Sequence, residues 1–456
     1  MNAEPESLNH GARDRMLHPY SSPRALENAQ RLVITRGEGI YVFDSHGRRY
    51  IEGVAALWYA NFGFSEQRLV DAAYRQMQRL PCYHAFANRV TDVALELTEE
   101  LLARAPVPMA SVFYACSGSE ANDTAAKLVE YYHNATGQPD KKLIIARKMG
   151  YHGVTRTAAN MTGVPRNHMG FDLPDDQVIH LSSPDYYRNA HDGESEEEFS
   201  ARLAAELEAA IERVGADRIG AFIAEPLMGV GGVVPPPATY FDRIQPILRQ
   251  HDILFIADEV ICGFGRLGQM FGSQVYNLQP DMISIAKGFT AGYQPVSALM
   301  VNQKVQDAIA AGSEQHGVFG HGFTYTAHPV GAAVALEALR LYDELDLLAH
   351  VREISAGFHA RLAEFRSSPI VGDVRGCGLI AGIQLVEDPA TRKFFDPARG
   401  AGRVLERMCE EEGVIVRPLG DVLAVSPPLI IRPDEIDDMM DRIGEALAAT
   451  ERELQA

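Results

Sequence analysis

Two apolar runs, each ending in one ionisable side chain, dominate the middle of the sequence. The first, ILFIA, begins at residue 253 and leads into Asp258, and the second, MISIA, begins at residue 282 and leads into Lys287. Short apolar runs bounded by glycine-rich turns are typical of buried strands in a parallel sheet. Open α/β sheets bind their ligands outside the carboxyl ends of such strands. We therefore expect an acid and an amine to face one ligand at the edge of a sheet.

Strands alternate with helices on the amino-terminal side of this stretch. We predict strands at residues 111–115, 142–147 and 219–226 and helices at residues 197–214 and 240–251. Such alternation predicts an α/β fold whose mostly parallel sheet is covered by helices on both faces.

Charge and composition exclude several classes of partner. The formal net charge of −19 argues against a surface for nucleic acid or anionic membranes. The five cysteines show no Cys-x-x-Cys spacing, which is usual in a reducing compartment. We find no signal-peptide pattern at the N-terminus and no run of the roughly 20 apolar residues that a membrane span needs. We therefore expect a cytoplasmic protein that binds neither nucleic acid nor membranes.

The turn Ser117-Gly118-Ser119-Glu120 joins a predicted strand to a helix. The free N–H groups at a helix start form an anion site, where Gly118 would let the backbone come close and Ser119 could donate its hydroxyl. An ordinary serine cap followed by a glutamate would leave the same pattern, so the turn alone leaves both interpretations open.

Two further patterns suggest ligands that we do not predict. The glycines of residues 263–268 have dinucleotide-motif spacing, but the acid pair precedes them and the segment lies mid-chain, so we interpret them as a tight turn. His316, His321 and His328 lie close together in sequence, yet their glycine-rich segment enforces no metal geometry and offers no acid or cysteine partner. We therefore expect neither a nicotinamide cofactor nor a metal.

Lys287, Asp258 and the anion turn together suggest one cofactor. A desolvated lysine has a depressed pKa and suits Schiff-base chemistry, although a lysine reaching solvent from a strand end would look the same in isolation. A phosphate site, a carboxylate and an amine-forming lysine are what pyridoxal phosphate requires. We therefore predict this cofactor.

Six motifs in order resemble those of the class III pyridoxal-phosphate aminotransferases, of the fold-type I superfamily. They are SGSEAND at residue 117, GYHG at 150, AEPLMGVGG at 224, DEVICGFGRLG at 258, AKG at 286 and HGFTYTAHP at 321. Within this class, LWYANFG at residue 57, HGFTY and SPPLII at residue 426 are similar to ω-amino acid or amine–pyruvate transaminases.

The resemblance implies a large domain with a mostly parallel seven-stranded sheet sandwiched by helices, and a smaller α+β domain built from both termini. A chain of 456 residues is also long enough for two cores. We assign residues 1–60 to an N-terminal arm and part of the small domain, residues 61–328 to the large cofactor-binding domain, and residues 329–456 to the C-terminal small domain.

The resemblance also implies roles at the cofactor ring. Lys287 would bind pyridoxal phosphate covalently and then move the proton, and Asp258 would keep the ring nitrogen protonated. Tyr151 and Val260 would cover the two faces of the ring, and Glu225 would lie near Asp258.

By the same resemblance, Gly118 and Ser119 would hold the cofactor phosphate. Thr324 from a partner subunit would complete the phosphate site. This implies a homodimer with the active site at the subunit interface, and leaves a tetramer open.

For the substrate, the resemblance assigns the carboxylate to Arg417. Val230 stands where ornithine- and γ-aminobutyrate-type relatives carry a glutamate that can pair with this arginine. An unpaired Arg417 could bind a keto acid and swing aside for an uncharged amine, which favours pyruvate as acceptor. The side chains that the resemblance implies to line an apolar pocket are Tyr20, Leu57, Trp58, Phe86, Tyr151 and Phe323. A core position would explain Trp58 equally well, and core or interface positions would look the same for Tyr20 and Phe86.

We therefore expect a transaminase that moves an amino group from an ω-amino acid or an apolar primary amine to pyruvate, with ping-pong kinetics. A polyamine, taurine or γ-aminobutyrate transaminase, a decarboxylase and an aminomutase remain alternatives within the class. A catalytically idle cofactor-binding protein and a nicotinamide oxidoreductase are the alternatives outside it. The sequence leaves the physiological donor and the enantiopreference open.

Overall fold

The computed structural model describes residues 16–27, 31–174 and 176–455, so part of the predicted N-terminal arm lies outside the described residues. The described strands are β1 Ile34–Glu38, β2 Tyr41–Asp44, β3 Arg49–Glu52, β4 Ser111–Ala115, β5 Leu143–Arg147, β6 Val178–Leu181, β7 Ile219–Ala224, β8 Leu254–Asp258, β9 Met282–Ile285, β10 Ser297–Val301, β11 Val371–Cys377, β12 Ile380–Leu385, β13 Val414–Ile415, β14 Arg417–Leu419 and β15 Val422–Val425.

Helices occur between and after these strands. The described α-helices are α1 Pro23–Leu26, α2 Ala55–Trp58, α3 Gln67–Arg79, α4 Asp92–Arg104, α5 Gly118–Ala135, α6 Arg156–Met161, α7 Tyr186–Asn189, α8 Glu196–Val214, α9 Tyr240–Gln250, α10 Gly272–Val275, α11 Gln303–His316, α12 Pro329–Glu344, α13 Leu347–Glu364, α14 Ala401–Glu411 and α15 Pro433–Gln455. Short 3₁₀ turns cover Pro165–Asn167, Lys287–Phe289, Phe365–Ser367 and Pro397–Arg399.

Seven of the described strands form the central sheet, in the order β4-β10-β9-β8-β7-β5-β6. The pairs from β9 through β8, β7 and β5 to β6 are parallel, and β10 runs antiparallel to both of its neighbours. This topology confirms the predicted α/β fold with its mostly parallel sheet. The two apolar runs that end in Asp258 and Lys287 are the adjacent strands β8 and β9, so both groups emerge at the same edge.

Helices cover both faces of this sheet because its central strands are apolar on both faces. Phe222 and Phe255 pack against α8 and α9 on one face, while Ile223 and Ile256 pack against α5 and α11 on the other. Full burial of each such side chain is worth about 1.5–3 kcal/mol. The central strands are therefore a rigid base for groups at their carboxyl ends.

Two smaller sheets lie beside the central sheet, and one of them joins segments from both ends of the chain. Strands β2 and β3 form an antiparallel hairpin, and β13 from the C-terminal region pairs parallel with β3. The other small sheet has the order β11-β12-β15-β14. Both termini thus contribute to one α+β region, while the exact boundaries at residues 60 and 328 stay predictions. None of the described helices has the length and apolar character of a membrane span.

Candidate active site

The carboxyl ends of β8 and β9 open into a cavity of about 410 Å³. Its size is within the range usual for small-molecule sites. The predicted cofactor-binding residues that line it are Gly118, Ser119, Tyr151, Glu225, Asp258, Val260 and Lys287. The structure therefore brings residues from five separate sequence motifs into one space.

Asp258 is buried and held by three donors. Its Oδ2 accepts hydrogen bonds from Asn122 Nδ2 and His152 Nδ1, each at 2.8 Å, and its Oδ1 accepts one from the Val260 amide at 3.1 Å. Two side-chain donors on one carboxylate oxygen fix the orientation of the group. Such a carboxylate suits a protonated ring nitrogen.

Asn122 and His152 are functional candidates that the sequence prediction did not name. Asn122 lies one helical turn, about 5.4 Å, beyond the start of α5, so its side chain points to the same side as Gly118. His152 follows Tyr151 in the GYHG segment and is fully buried, and none of the described residues bonds to its Nε2. Both residues lay within quoted motifs, but a contact with Asp258 across more than 100 positions leaves no local pattern.

Lys287 has an unusual backbone and a perturbed amine. Its φ angle is +52°, which places a non-glycine residue in the left-handed region that typically costs about 1–3 kcal/mol. Burial lowers the pKa of its amine to about 8, although the carboxylates of Asp258 and Glu225 act in the opposite direction. The neutral amine that nucleophilic and proton-transfer chemistry requires is therefore available near neutral pH.

The start of α5 provides an anion site on the wall of the same cavity. Ser117 caps the helix by accepting a bond from the Glu120 amide, and Ser119 Oγ accepts one from the Val154 amide at 3.1 Å. A Cβ on Gly118 would lie 3.1 Å from Val260 Cγ2, so this position has little room for a larger residue. The amides of the first helical turn and the positive end of the helix dipole favour a phosphate.

Glu225 bridges two backbone segments of the site. Its Oε1 accepts a bond from the Tyr151 amide at 3.1 Å, and its Oε2 accepts one from the Gly229 amide at 2.8 Å. Burial raises the pKa of its carboxyl group. Glu225 thus fixes the half-buried Tyr151 and the turn that carries Val230, without a hydrogen bond to Asp258.

Trp58 connects Lys287 with Arg417. The Lys287 Nζ lies 6.0 Å from the Trp58 ring centroid, and the Arg417 Cζ lies 4.7 Å from it. Burial and the nearby Arg166 lower the pKa of Arg417. No carboxylate of the described residues forms an ion pair with Arg417. A substrate carboxylate could therefore supply the missing negative charge.

The remaining predicted residues lie outside this cavity in a single chain. Leu57, Phe86 and Thr324 are exposed, and Phe323 packs against Phe113 at the surface. The exposed Tyr20 accepts a hydrogen bond from Asn167 at 2.8 Å. Burial is the main cause that raises the pKa of Tyr151, and the hydrogen bond with Tyr20 raises it further. Val230 is buried in the apolar core.

Taken together, the cavity can hold an anion at α5, a protonated ring nitrogen at Asp258 and a carbonyl carbon at Lys287. These are the three binding groups of pyridoxal phosphate. The residues present therefore fit the cofactor that the sequence predicted.

The model of the class-III aminotransferase family matches residues 22–447. The γ-aminobutyrate transaminase 1 of Solanum lycopersicum mitochondria is 46% identical over 441 residues, which are 96% of this chain and 86% of that protein. The ω-transaminase from Pseudomonas jessenii, solved in complex with PMP, has a TM-score of 0.96 and 46% identity, and 99% of each chain is covered. The PMP-bound aminotransferase from Vibrio fluvialis has a TM-score of 0.93 and 40% identity, with 96% of each chain covered.

Proposed function

Since the chain belongs to the class-III aminotransferases, which use pyridoxal phosphate, we propose that it moves an amino group from an ω-amino acid or an apolar primary amine to pyruvate. The observation that carries this proposal is the unpaired Arg417 above Trp58, next to Lys287. It provides one cation for a keto-acid carboxylate in surroundings that are otherwise aromatic.

The chain's own residues divide the chemistry between them. The cofactor, when bound, supplies an electron-accepting ring. Asp258 holds a proton at the ring nitrogen, because Asn122 and His152 fix its carboxylate. Lys287 Nζ would accept the proton from the substrate carbon that bears nitrogen and later give it back, for which an amine with a pKa of about 8 is suited. Ping-pong kinetics follow from the two half-reactions.

Arg417 serves two kinds of substrate in this proposal. It binds the carboxylate of pyruvate and moves aside when an uncharged amine enters. The lack of an ion pair with any described residue supports such mobility, since no partner has to be broken. Val230 supports it as well, because an apolar side chain offers no competing carboxylate.

A γ-aminobutyrate transaminase is the second candidate, favoured by the curated relatives, which carry that name at 45–47% identity. γ-Aminobutyrate is itself an ω-amino acid, so the two candidates differ in preferred donor rather than in chemistry. An apolar pocket favours the binding of arylalkylamines, whereas a fixed Arg417 would favour a donor with a distal carboxylate.

A donor screen with pyruvate as acceptor tests the proposal directly. Conversion of the lysine-bound to the amine form of the cofactor is followed by absorbance with 1-phenylethylamine, β-alanine and γ-aminobutyrate, and its reversal is followed with pyruvate and 2-oxoglutarate. We expect fast reversal with pyruvate and slow reversal with 2-oxoglutarate. An enzyme that accepts only γ-aminobutyrate as donor would favour the second candidate, and one that prefers 2-oxoglutarate would contradict pyruvate as the acceptor.

Arg417→Leu sharpens this test, with Arg407→Leu as a control of equal charge on the surface, where Arg407 pairs with Glu453. Losing a charged hydrogen-bond partner of a carboxylate costs about tenfold to a hundredfold in binding. We expect KM for pyruvate to rise by that factor in Arg417→Leu, with KM for 1-phenylethylamine nearly unchanged. Equal effects on both substrates would contradict the carboxylate role.

We also propose that the enzyme is a homodimer with shared active sites. Thr324 and Phe86 are exposed in one surface patch, since the Phe86 ring lies against Gly322. On α3, Val70, Tyr74 and Met77 form an exposed apolar stripe at helical spacing, which is typical of a protein–protein contact.

Subunit mixing tests the shared site. Lys287→Ala subunits and Thr324→Val subunits would each lack one part of every site in their own homodimers. A mixed dimer contains one site with both Lys287 and Thr324 intact. We expect mixing to restore cofactor retention toward half of the wild-type value, and no recovery in a verified mixed dimer would contradict the trans role of Thr324.

A further inference from the structure

Arg266 is an arginine buried without an acid partner. It is 1% exposed, and no ion pair joins it to any described carboxylate. Its Nη1 donates to the carbonyls of Leu379 at 3.0 Å and Pro427 at 2.6 Å, and its Nη2 donates to Asn61 Oδ1 at 2.9 Å. Burying a cation among neutral acceptors costs free energy, and here burial lowers the arginine pKa to about 10. Its position therefore calls for a role that outweighs this cost.

The arginine fixes the direction of a chain of hydrogen bonds. A guanidinium can only donate, so Asn61 must turn its Oδ1 toward Arg266 and its Nδ2 away. The Nδ2 then donates to Tyr342 Oη at 2.8 Å and to the Phe264 carbonyl at 3.0 Å. Because the tyrosine oxygen accepts from Asn61, its single proton is left for the carbonyl of Gly288, at 2.8 Å.

This chain of hydrogen bonds ends on the carbonyl of Gly288, the residue that follows Lys287. Gly288 lies against Asn61, since a Cβ added there would come within 2.6 Å of Asn61 Nδ2. The 3₁₀ turn Lys287–Phe289 thus cannot shift toward the network without a clash. The first residue of this turn is the strained Lys287, with a φ of +52°. It is held in place through the hydrogen bond to the carbonyl of the next residue, Gly288.

The same network also holds the wall that carries Trp58. Asn61 lies three positions beyond Trp58, in a segment where Ala55, Ala56 and Trp58 all have positive φ. The Leu429 amide donates to the Asn61 carbonyl at 2.9 Å, which joins this segment to the C-terminal region. One buried network therefore connects the lysine turn with the aromatic wall 6.0 Å from its amine.

We propose that Arg266, Asn61 and Tyr342 are positioning residues, which hold the backbone of Lys287 in the conformation that directs its amine into the cavity. Because the arginine can only donate, it sets the donor and acceptor direction of these hydrogen bonds. The tyrosine hydroxyl therefore donates one hydrogen bond to the Gly288 carbonyl. The proposal rests on the proposed function, in which Lys287 carries the cofactor.

The test compares Tyr342→Phe with Tyr50→Phe in the holoenzyme. Tyr50 is a matched control, because it is also buried and its hydroxyl donates a hydrogen bond, to Asp44 Oδ2 at 3.1 Å, which Tyr50→Phe removes. It lies in the sheet formed by β1, β2, β3 and β13. Two readouts report on Lys287 itself: the rate at which hydroxylamine releases the cofactor, and the pH at which the visible absorbance of the lysine-bound cofactor changes.

We expect Tyr342→Phe to release the cofactor about tenfold faster than wild type and to shift the pH of the absorbance change, because the freed carbonyl lets the lysine turn relax. Tyr50→Phe should stay within about twofold of wild type and show no pH shift, even if both variants lose similar thermal stability. Wild-type release and an unshifted absorbance in Tyr342→Phe, or equal changes in both variants, would overturn the proposal.

Asn61→Asp provides a second variant if Tyr342→Phe fails to fold. It keeps an acceptor for Arg266 but replaces the donor toward Tyr342 by an acceptor, so the tyrosine proton turns away from Gly288. We expect the same accelerated release, and wild-type release would again overturn the proposal. A Lys287→Ala protein that kept the visible absorbance would refute the cofactor role of Lys287 and the positioning proposal with it, whereas the two outcomes above refute the positioning proposal alone.

Discussion

Replacing Lys287 by methionine should stabilise the cofactor-free protein. The two side chains have similar length and share the strained backbone, so the main difference is the amine. Burial lowers the pKa of this amine from 10.5 to about 8. Since each tenfold change in proton affinity is worth about 1.4 kcal/mol, the charged lysine costs the folded state about 3 kcal/mol at neutral pH.

The pH dependence gives this prediction its sign. Below about pH 8 the amine is protonated in both states, and the folded protein bears the full cost. Between about pH 8 and 10.5 the unfolded chain still binds the proton that the folded protein has lost, so wild-type stability rises with pH. Above this window the amine is neutral in both states, and the difference disappears.

Urea unfolding of the two cofactor-free proteins, at one fixed protein concentration, measures the effect. We expect Lys287→Met to exceed wild type by about 2–3 kcal/mol at pH 7, with a gap that narrows steadily toward pH 10. Lys393→Met is the control, because Lys393 is exposed beside Glu387 and should change stability by less than about 0.5 kcal/mol. A gap that is absent, or that does not depend on pH, would refute the claim that Lys287 is held in a desolvated site.

Three further outcomes follow from the site. His152→Ala should slow the amine half-reaction about tenfold, because Asp258 loses one of its charge-assisted donors, and stopped-flow absorbance at saturating amine measures this. Ser117→Ala should cost about 1 kcal/mol of unfolding free energy, since it removes the cap of α5, and should weaken cofactor retention more than the same change at the cap residue Ser195 of α8. Gly118→Val should block cofactor binding in equilibrium dialysis while the protein stays folded by circular dichroism, since a Cβ there already lies 3.1 Å from Val260.

The central sheet was predictable because its signal is local. The strands that lead to Asp258 and Lys287 are buried on both faces, and this pattern is visible in the sequence as two short, mostly apolar runs. The helix start at Gly118 was equally visible, since capping depends on neighbouring residues. That these three ends meet in one cavity follows from the parallel order of the strands.

The supports of the site were not predictable in the same way. Asn122 and His152 reach Asp258 from 136 and 106 positions away, and Asn61 reaches Arg266 over 205. Contacts of this kind depend on the side-chain directions that the finished fold imposes. Glu225 was expected to lie near Asp258. Its hydrogen bonds to two backbone amides could be recognised only from the geometry.

The arrangement around Trp58 links the two halves of the reaction. Two basic groups lie near the indole, the amine of Lys287 at 6.0 Å and the guanidinium of Arg417 at 4.7 Å from the ring centroid. We propose that the first transfers protons and that the second binds a carboxylate. Moving the indole would therefore disturb both groups at once, because both lie near the same ring. Three residues of the segment that carries Trp58 have positive φ angles. The buried Asn61, three positions further along, accepts a hydrogen bond from Arg266 that holds it in place. A rigid wall of this kind suits the proposed movement of Arg417, since a flexible cation can discriminate between substrates only against a fixed background.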